Sequence, residues 1–444
     1  MKDNTEVQGL PGNYFEGKNG LTYRFTILKD IAVTGASPVP YDDSLQDSIF
    51  DLYGKYKDFA LYVHFPWCIE HCSYCHYYRG PIIKREELVK MLAAERKHAQ
   101  MMDERIDLHS RVIRTIYFGG GTPTVIPTDL LEEALEYYVN RYGKDEACEV
   151  CMEVSPITLK PQKIDILQRY VDRLSVGVQS FDDRILKTVE RKHTGNWAKE
   201  ILQEVVPRFP NVNVDLIYGL YEQDLETWLK SIEEAVKLHV QSLTIYRLDI
   251  REMPRIIKLF REQPDKFPNE RLCWQMYQEA KKMLEANGYR ENLIGWFLLP
   301  SVKDTIVYRE RWEKQSPCIA FGPALHNYGA DHFYETLPGH DEYIQAVEAG
   351  KLPIKYIYKM TMRKKVIWYV LAQFKSNSPV WKNIIVERFG INLLNWFMTL
   401  VRDYINWGVI VEYGDKLEIA DEYHYILEWV LLDFIGSLSF DEIN

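Results

Sequence analysis

The stretch LYVHFPWCIEHCSYCHYY, Leu61 to Tyr78, holds three of the chain's 7 cysteines, Cys68, Cys72 and Cys75, at C-x3-C-x2-C spacing. Thiolate is a soft ligand, and three thiolates on one short loop can hold three irons of a [4Fe–4S] cube. No fourth cysteine follows closely; the next positions are His76, Tyr77 and Tyr78. The fourth iron is thereby left open to a small molecule. A zinc site would want four protein ligands in paired knuckles, and no second knuckle is present. Disulfide or packing roles are the weaker alternative for such close neighbours in a chain that reads as belonging to a reducing compartment. Cys68, Cys72 and Cys75 are therefore the candidate metal-ligating and catalytic residues.

Outward from this loop the pattern repeats. ALYVHF (60–65) reads as a strand leading into the cysteines, and REELVKMLAAERKHAQMM (85–102) reads as a helix. Strands follow at VIRTIYF (112–118), CEVCMEVSP (148–156), DRLSVGVQSF (172–181), VNVDLIYGL (212–220) and SLTIYRLDI (242–250). The intervening helices are expected at 128–142, opened by an N-cap, at 161–170 with proline at its start, as a pair over FDDRILKTVER and NWAKEILQEVVPRF, at 225–239 and at 270–288. Six such βα units predict a parallel sheet, either open or curled into a partial (βα)6 TIM-like barrel, and in a barrel the chemistry sits on the loops after the strand C-termini.

The polar motifs fall at those ends. Gly119, Gly120, Gly121, Thr122 and Pro123 form a loop whose glycines allow close backbone approach to a ligand. Glu153 ends the third strand, Gln179 the fourth and Arg247 the sixth; Asp215 lies in the fifth, and Arg191 and His193 follow in VERKHTG. Cys148 and Cys151 lie in a strand at a spacing that turns them to opposite faces, so they read as packing residues. Cys273 and Cys318 read as buried cysteines.

The remainder is less periodic. Residues 1–57 are expected to form an N-terminal arm, 58–288 the core, 289–357 an extension, and 358–444 a mostly helical cap. That cap ends in a hairpin, VIVEYGDKLEIAD, with Gly-Asp at its turn, which gives it a winged-helix-like pattern. Net charge is −10 over 444 residues, which argues against a nucleic-acid binder. No apolar run reaches the length of a membrane span, and the N-terminus lacks the apolar core of a secretory signal. A cytoplasmic, monomeric protein acting on a small molecule is expected.

The ordered motifs YVHFPW with C-x3-C-x2-C, GGGTP, EVSP, RLSVGVQSF and NVDLIYGL resemble those of the radical SAM superfamily, and more narrowly the oxygen-independent coproporphyrinogen III oxidase-like (HemN-like) family. The match runs from Leu61 to Leu220 and continues weakly to about 330. The resemblance implies a [4Fe–4S] cluster that binds S-adenosylmethionine (SAM) and cleaves it to a 5′-deoxyadenosyl radical, with electrons from a flavodoxin- or ferredoxin-type donor. It puts Tyr62, Tyr74, Gly120 and Glu153 at the cluster-bound SAM, with Leu325 in GPALHN nearby. It puts a second SAM on Gly121, Thr122, Gln179, Arg191 and Asp215, with Arg247 at a backbone-contact position. The oxidase carries a further cysteine just after the triad, where this chain has His76 and Tyr77. The oxidase's N-terminal substrate motif is not evident in residues 1–57, and Tyr221 stands where proline is usual. The expected function is therefore a carbon transfer of the class C methyltransferase or cyclopropanase kind onto an unsaturated or aromatic substrate. The alternatives are oxidative decarboxylation of the coproporphyrinogen type, or haem chaperoning without catalysis, for which His64, His71, His76 or His326 could supply an axial ligand.

Overall fold

The computed structural model describes residues 14–16, 22–24, 36–75, 80, 84–143, 148–248, 254–302, 316–328 and 332–436. Six parallel core strands run in chain order: Asp58–Phe65, Val112–Gly120, Glu149–Val154, Arg173–Gln179, Asn211–Tyr218 and Ser242–Arg247. Most of their residues are buried, the pattern of strands covered on both faces. The helices between them bury one stripe each. In Leu225–Lys237, Trp228, Ile232 and Ala235 face inward at helical spacing, and Asp224 caps the first turn by accepting from the Thr227 amide. The Trp228 indole donates to the Met276 carbonyl at 2.7 Å and locks this helix to Glu270–Ala286.

The parallel arc does not close on itself. It is part of a 13-stranded sheet. The antiparallel hairpin Arg290–Leu293 and Trp296–Leu298 covers the sixth core strand. Cys318–Phe321 pairs parallel to the first, and His326–Tyr328, His332–Thr336, Ile354–Met360 and finally Ala36–Pro40 continue antiparallel from there. Both the 289–357 segment and the N-terminal region thus enter the main sheet. The last part matches the winged-helix-like expectation. Helices Met362–Lys375, Lys382–Phe389 and Ile391–Asn406 accompany a three-stranded sheet whose hairpin turns at Gly414, φ 58°. Among the described residues no helix is long and apolar enough to cross a membrane.

Several local expectations need correction. The arm contains helix Gln46–Gly54, which buries Ile49, Phe50 and Tyr53; that is too short a stripe to stand out in sequence. Helix Arg85–Ile106 runs four residues past 102 and stops where Asp107 takes φ 54°. Helix Thr128–Tyr142 has no side-chain cap, because Pro127 occupies that position. A further helix, Pro254–Glu262, precedes the last helix of the core. Cys318 is half-buried at a strand start, whereas Cys273 is buried.

The cap is tied to the core through Glu291. Its carboxylate meets Lys281 Nζ at 3.0 Å and His424 Nδ1 at 3.2 Å, and accepts from the Tyr277 hydroxyl. Burial alone would raise its pKa, but His424, Lys281 and Tyr277 outweigh this and draw it from 4.5 down to about 2. With the folded value below the unfolded one, this stabilisation is present above pH 4.5 and lost as the pH falls toward 2. Glu291→Gln is expected to cost about 2–4 kcal/mol at pH 7, because it removes the counter-charge of Lys281 and disturbs a buried set of contacts to His424 and Tyr277. In thermal melts the gap between variant and wild type should narrow as the pH falls through that window.

Candidate functional site

The first core strand ends at Phe65, and the chain turns through buried Trp67 into the cysteine loop. The glycine loop of the second strand lies directly against it. The Gly121 amide donates to the Phe65 carbonyl at 2.8 Å, and the Thr122 amide to the Trp67 carbonyl at 2.8 Å. A Cβ at Gly121 would stand 2.4 Å from the Trp67 carbonyl oxygen, so only glycine allows the approach. Thr122 Oγ1 then sits 3.3 Å from Cys68 Sγ.

Glu153, at the end of the third strand, reaches back to this junction. It accepts from the Tyr117 hydroxyl at 2.8 Å and from the Gly120 amide at 3.1 Å. The residue is half-buried, and desolvation pushes its pKa up to about 7. The two hydrogen bonds oppose that shift, and the Asp215 carboxyl adds to it. Tyr62 stacks on Tyr117 with ring centroids 5.8 Å apart, and its hydroxyl lies 3.3 Å from His64 Nδ1. Burial takes the His64 pKa down to about 3, so the ring is neutral.

On the other side, the buried Cys72 thiol takes a long contact from Arg191 Nη1 at 3.6 Å. Arg191 also donates to the Gly177 carbonyl and pairs with Glu70 at 3.0 Å. Gln179 has φ 70°, uncommon for a non-glycine residue, and a Cβ at Gly177 would meet its Nε2 at 3.0 Å and Arg191 Nη2 at 3.5 Å. Tyr74 packs on a small apolar cluster that includes Ile185, Val189 and Leu220, and burial pushes its phenol pKa up. Cys75 is half-buried, and its amide donates to the Cys72 carbonyl at 3.2 Å. His76 and Tyr77 lie outside the described residues.

The structure therefore brings Cys68, Cys72, Tyr62, Tyr74, Gly120, Gly121, Thr122, Glu153, Gln179 and Arg191 to one region at the C-terminal ends of the first four core strands. Asp215 lies deeper, accepting from Ser175 at 3.0 Å and Asn213 at 2.7 Å. Leu325 flanks the region on a turn whose Gly322 abuts the His64 side chain. Arg247 faces away, paired with Glu270 and 4.9 Å over the Trp429 ring. Sequence reasoning missed Glu70, Tyr117 and Ser155, and named His64 only as a possible haem ligand. Glu70 stood between two cysteines, and that position was the available signal. Tyr117 was hidden inside a strand pattern.

None of the three triad cysteines is in a disulfide, and three thiol donors on one loop fit an iron–sulfur cluster. Among the described residues no three His, Cys, Asp or Glu side chains converge as ligands of a single ion. A cube places one thiolate on each of three separate irons, so its ligands need not converge in that way. Arg191 on Cys72 provides an N–H group that suits thiolate sulfur, while the Thr122 hydroxyl beside Cys68 donates to the Gly121 carbonyl at 2.7 Å.

The family model described as the Radical SAM superfamily matches residues 62–235. Among curated relatives, the "Heme chaperone HemW" of Buchnera aphidicola subsp. Schizaphis graminum is 28% identical over 53% of this chain and 62% of its own length. The chain thus spans less than two thirds of that relative. The "Heme chaperone HemW" of Bacillus subtilis is 25% identical over 85% of this chain and 100% of its own length. Among solved structures, the Escherichia coli coproporphyrinogen III oxidase HemN superposes with a TM-score of 0.78 at 17% identity, covering 93% of this chain and 99% of that one. At that identity the likeness is one of fold.

Proposed function

We propose, from the match of the Radical SAM superfamily model to residues 62–235 and the likeness to HemW and HemN, that the chain belongs to the HemN-like branch of that superfamily, that Cys68, Cys72 and Cys75 hold a [4Fe–4S] cluster beside a SAM site, and that the protein cleaves SAM to act on an unsaturated or aromatic substrate. Bound there, such a cluster supplies the electron that splits SAM into methionine and a 5′-deoxyadenosyl radical.

The observation that carries this reading is Glu153, a carboxyl held by Tyr117 and the Gly120 amide at the foot of the cysteine loop. In its ionised form it offers an acceptor for a ligand ammonium. Tyr62, stacked on Tyr117, gives that corner an aromatic wall. The carbon-transfer form of the reading needs a second SAM. Arg191 and Asp215 already have partners within the chain, so Gln179, held at φ 70°, would supply the main polar contact.

A haem-handling reading is supported by the relatives' names and by a separate wall of rings. Phe333 stacks on Tyr358 at 4.4 Å, Tyr328 on Trp368 at 5.5 Å, and His326 lies edge-on to Phe333 at 6.0 Å. Flat rings beside an imidazole suit a tetrapyrrole face with an axial nitrogen.

One experiment separates the readings. The reconstituted protein, a chemical reductant standing in for a flavodoxin- or ferredoxin-type donor, and methyl-labelled SAM are incubated with candidate substrates. Substrate-dependent 5′-deoxyadenosine with label in the product is the expected result, and Gln179→Ala should lower label transfer more than SAM cleavage. Cleavage with unlabelled product would leave oxidation. A stable one-to-one haem complex with no substrate-dependent cleavage would replace the enzyme reading by haem handling.

A further inference from the structure

Glu70 is a fully buried acid inside the cysteine loop, two residues from each of Cys68 and Cys72. Three donors from two other segments converge on it. Arg191 Nη1 lies 3.0 Å and Ser155 Oγ 2.8 Å from one carboxylate oxygen, and the Lys192 amide 2.9 Å from the other. Around this point the loop is joined again to the segment after the fourth strand: Lys192 Nζ donates to the Ile69 carbonyl at 2.7 Å and the Ser73 amide to the Val189 carbonyl at 3.2 Å. A buried carboxyl group held by three donors is fixed in place, and removing it would leave Arg191 buried without this partner.

The same Arg191 Nη1 that pairs with Glu70 lies 3.6 Å from Cys72 Sγ. Acid, guanidinium and thiol thus form one chain of contacts. We propose that Glu70 is a positioning residue that holds Arg191 against the Cys72 thiol, and that this pair sets the charge felt by the group Cys72 ligates. The inference rests on the cluster reading above. A donor and positive charge beside a ligating sulfur favour the reduced, more negative state of an iron–sulfur centre, and an adjacent carboxylate offsets that preference.

The test uses the full chain, reconstituted anaerobically without SAM or substrate. Iron and sulfide are counted, and the midpoint potential is read by redox titration followed by electron paramagnetic resonance. Glu70→Gln keeps the size and an acceptor oxygen but removes the charge. Iron content should stay near that of wild type while the midpoint moves to more positive potential. Arg191→Gln should move it the other way. Full iron in Glu70→Gln with an unmoved midpoint overturns the inference alone. A wild-type chain that takes up no iron overturns the cluster reading and the inference with it. If Glu70→Gln loses iron, the Glu70→Gln, Arg191→Gln double variant decides. Recovery of iron when both charges are removed supports the pair, and no recovery overturns it.

Discussion

Cys72→Ala is expected to leave the reconstituted protein without its cluster and without SAM cleavage. Wild type should carry about four iron and four sulfide per chain, and the variant well under about one. The expected effect is this large because Cys72 is the middle cysteine of the triad and the one whose sulfur lies on Arg191. The fold should survive the change. The loop remains joined to its surroundings by Glu70, by the Ser73 amide and by the Thr122 amide on the Trp67 carbonyl, none of which uses the thiol. Circular dichroism should therefore match wild type while iron and the visible absorption are lost. A well-occupied cube in a folded Cys72→Ala protein would count decisively against the triad.

Glu153→Gln should weaken SAM binding by about ten- to a hundredfold, the range expected when a charge-assisted hydrogen bond of about 1.5–3 kcal/mol is lost. Its pH dependence is the sharper signature. Burial raises the Glu153 pKa from 4.5 to about 7. Protonation is therefore favoured in the folded protein, and the stability it contributes without ligand is complete below pH 4.5 and lost as the pH rises through 7. A cationic ligand reverses the balance, because it favours the carboxylate. SAM affinity should then plateau above pH 7 and fall by up to about tenfold per unit below it, with a proton released on binding under mildly acidic conditions. Titration calorimetry in buffers of different ionisation enthalpy would measure that proton. An affinity flat from pH 5.5 to 8 in wild type would show that Glu153 does not meet the ammonium.

Where the sequence was readable, the reason was local. The βα alternation follows from hydrophobic period, and the cysteine loop from spacing; both are carried by neighbours in the chain. Gly121 shows how far such reading goes. A glycine triplet announces a turn, but only the folded chain shows Trp67 filling the space of the missing side chain. Glu70 and Glu291 were hidden for another reason. A buried carboxylate and a solvated one are written with the same letter, and what separates them is Arg191 and Ser155 in one case, and Lys281 and His424 in the other, all distant in sequence. The strands that extend the sheet at both edges were unreadable likewise, since pairing between far segments leaves no periodic mark. The haem-handling relatives bear on the alternatives rather than on the fold, and they shift attention to the ring wall around His326.

The placement of Ala36–Pro40 has a consequence for how the chain acquires its structure. This segment is made before the six parallel strands, and among the described residues its strand partner is Ile354–Met360 at the outer margin of the sheet. The first core strand likewise waits for Cys318–Phe321 on its outer side. During synthesis the six parallel strands can assemble in order, but these two edges stay open until residues 318–360 have been made. Closing contacts between such remote segments is slow, because the entropy of the large intervening loop is lost before any bond is gained. In that interval an exposed strand edge is a template for wrong pairing, so the yield of correctly folded protein should depend on how fast residues beyond 318 are delivered.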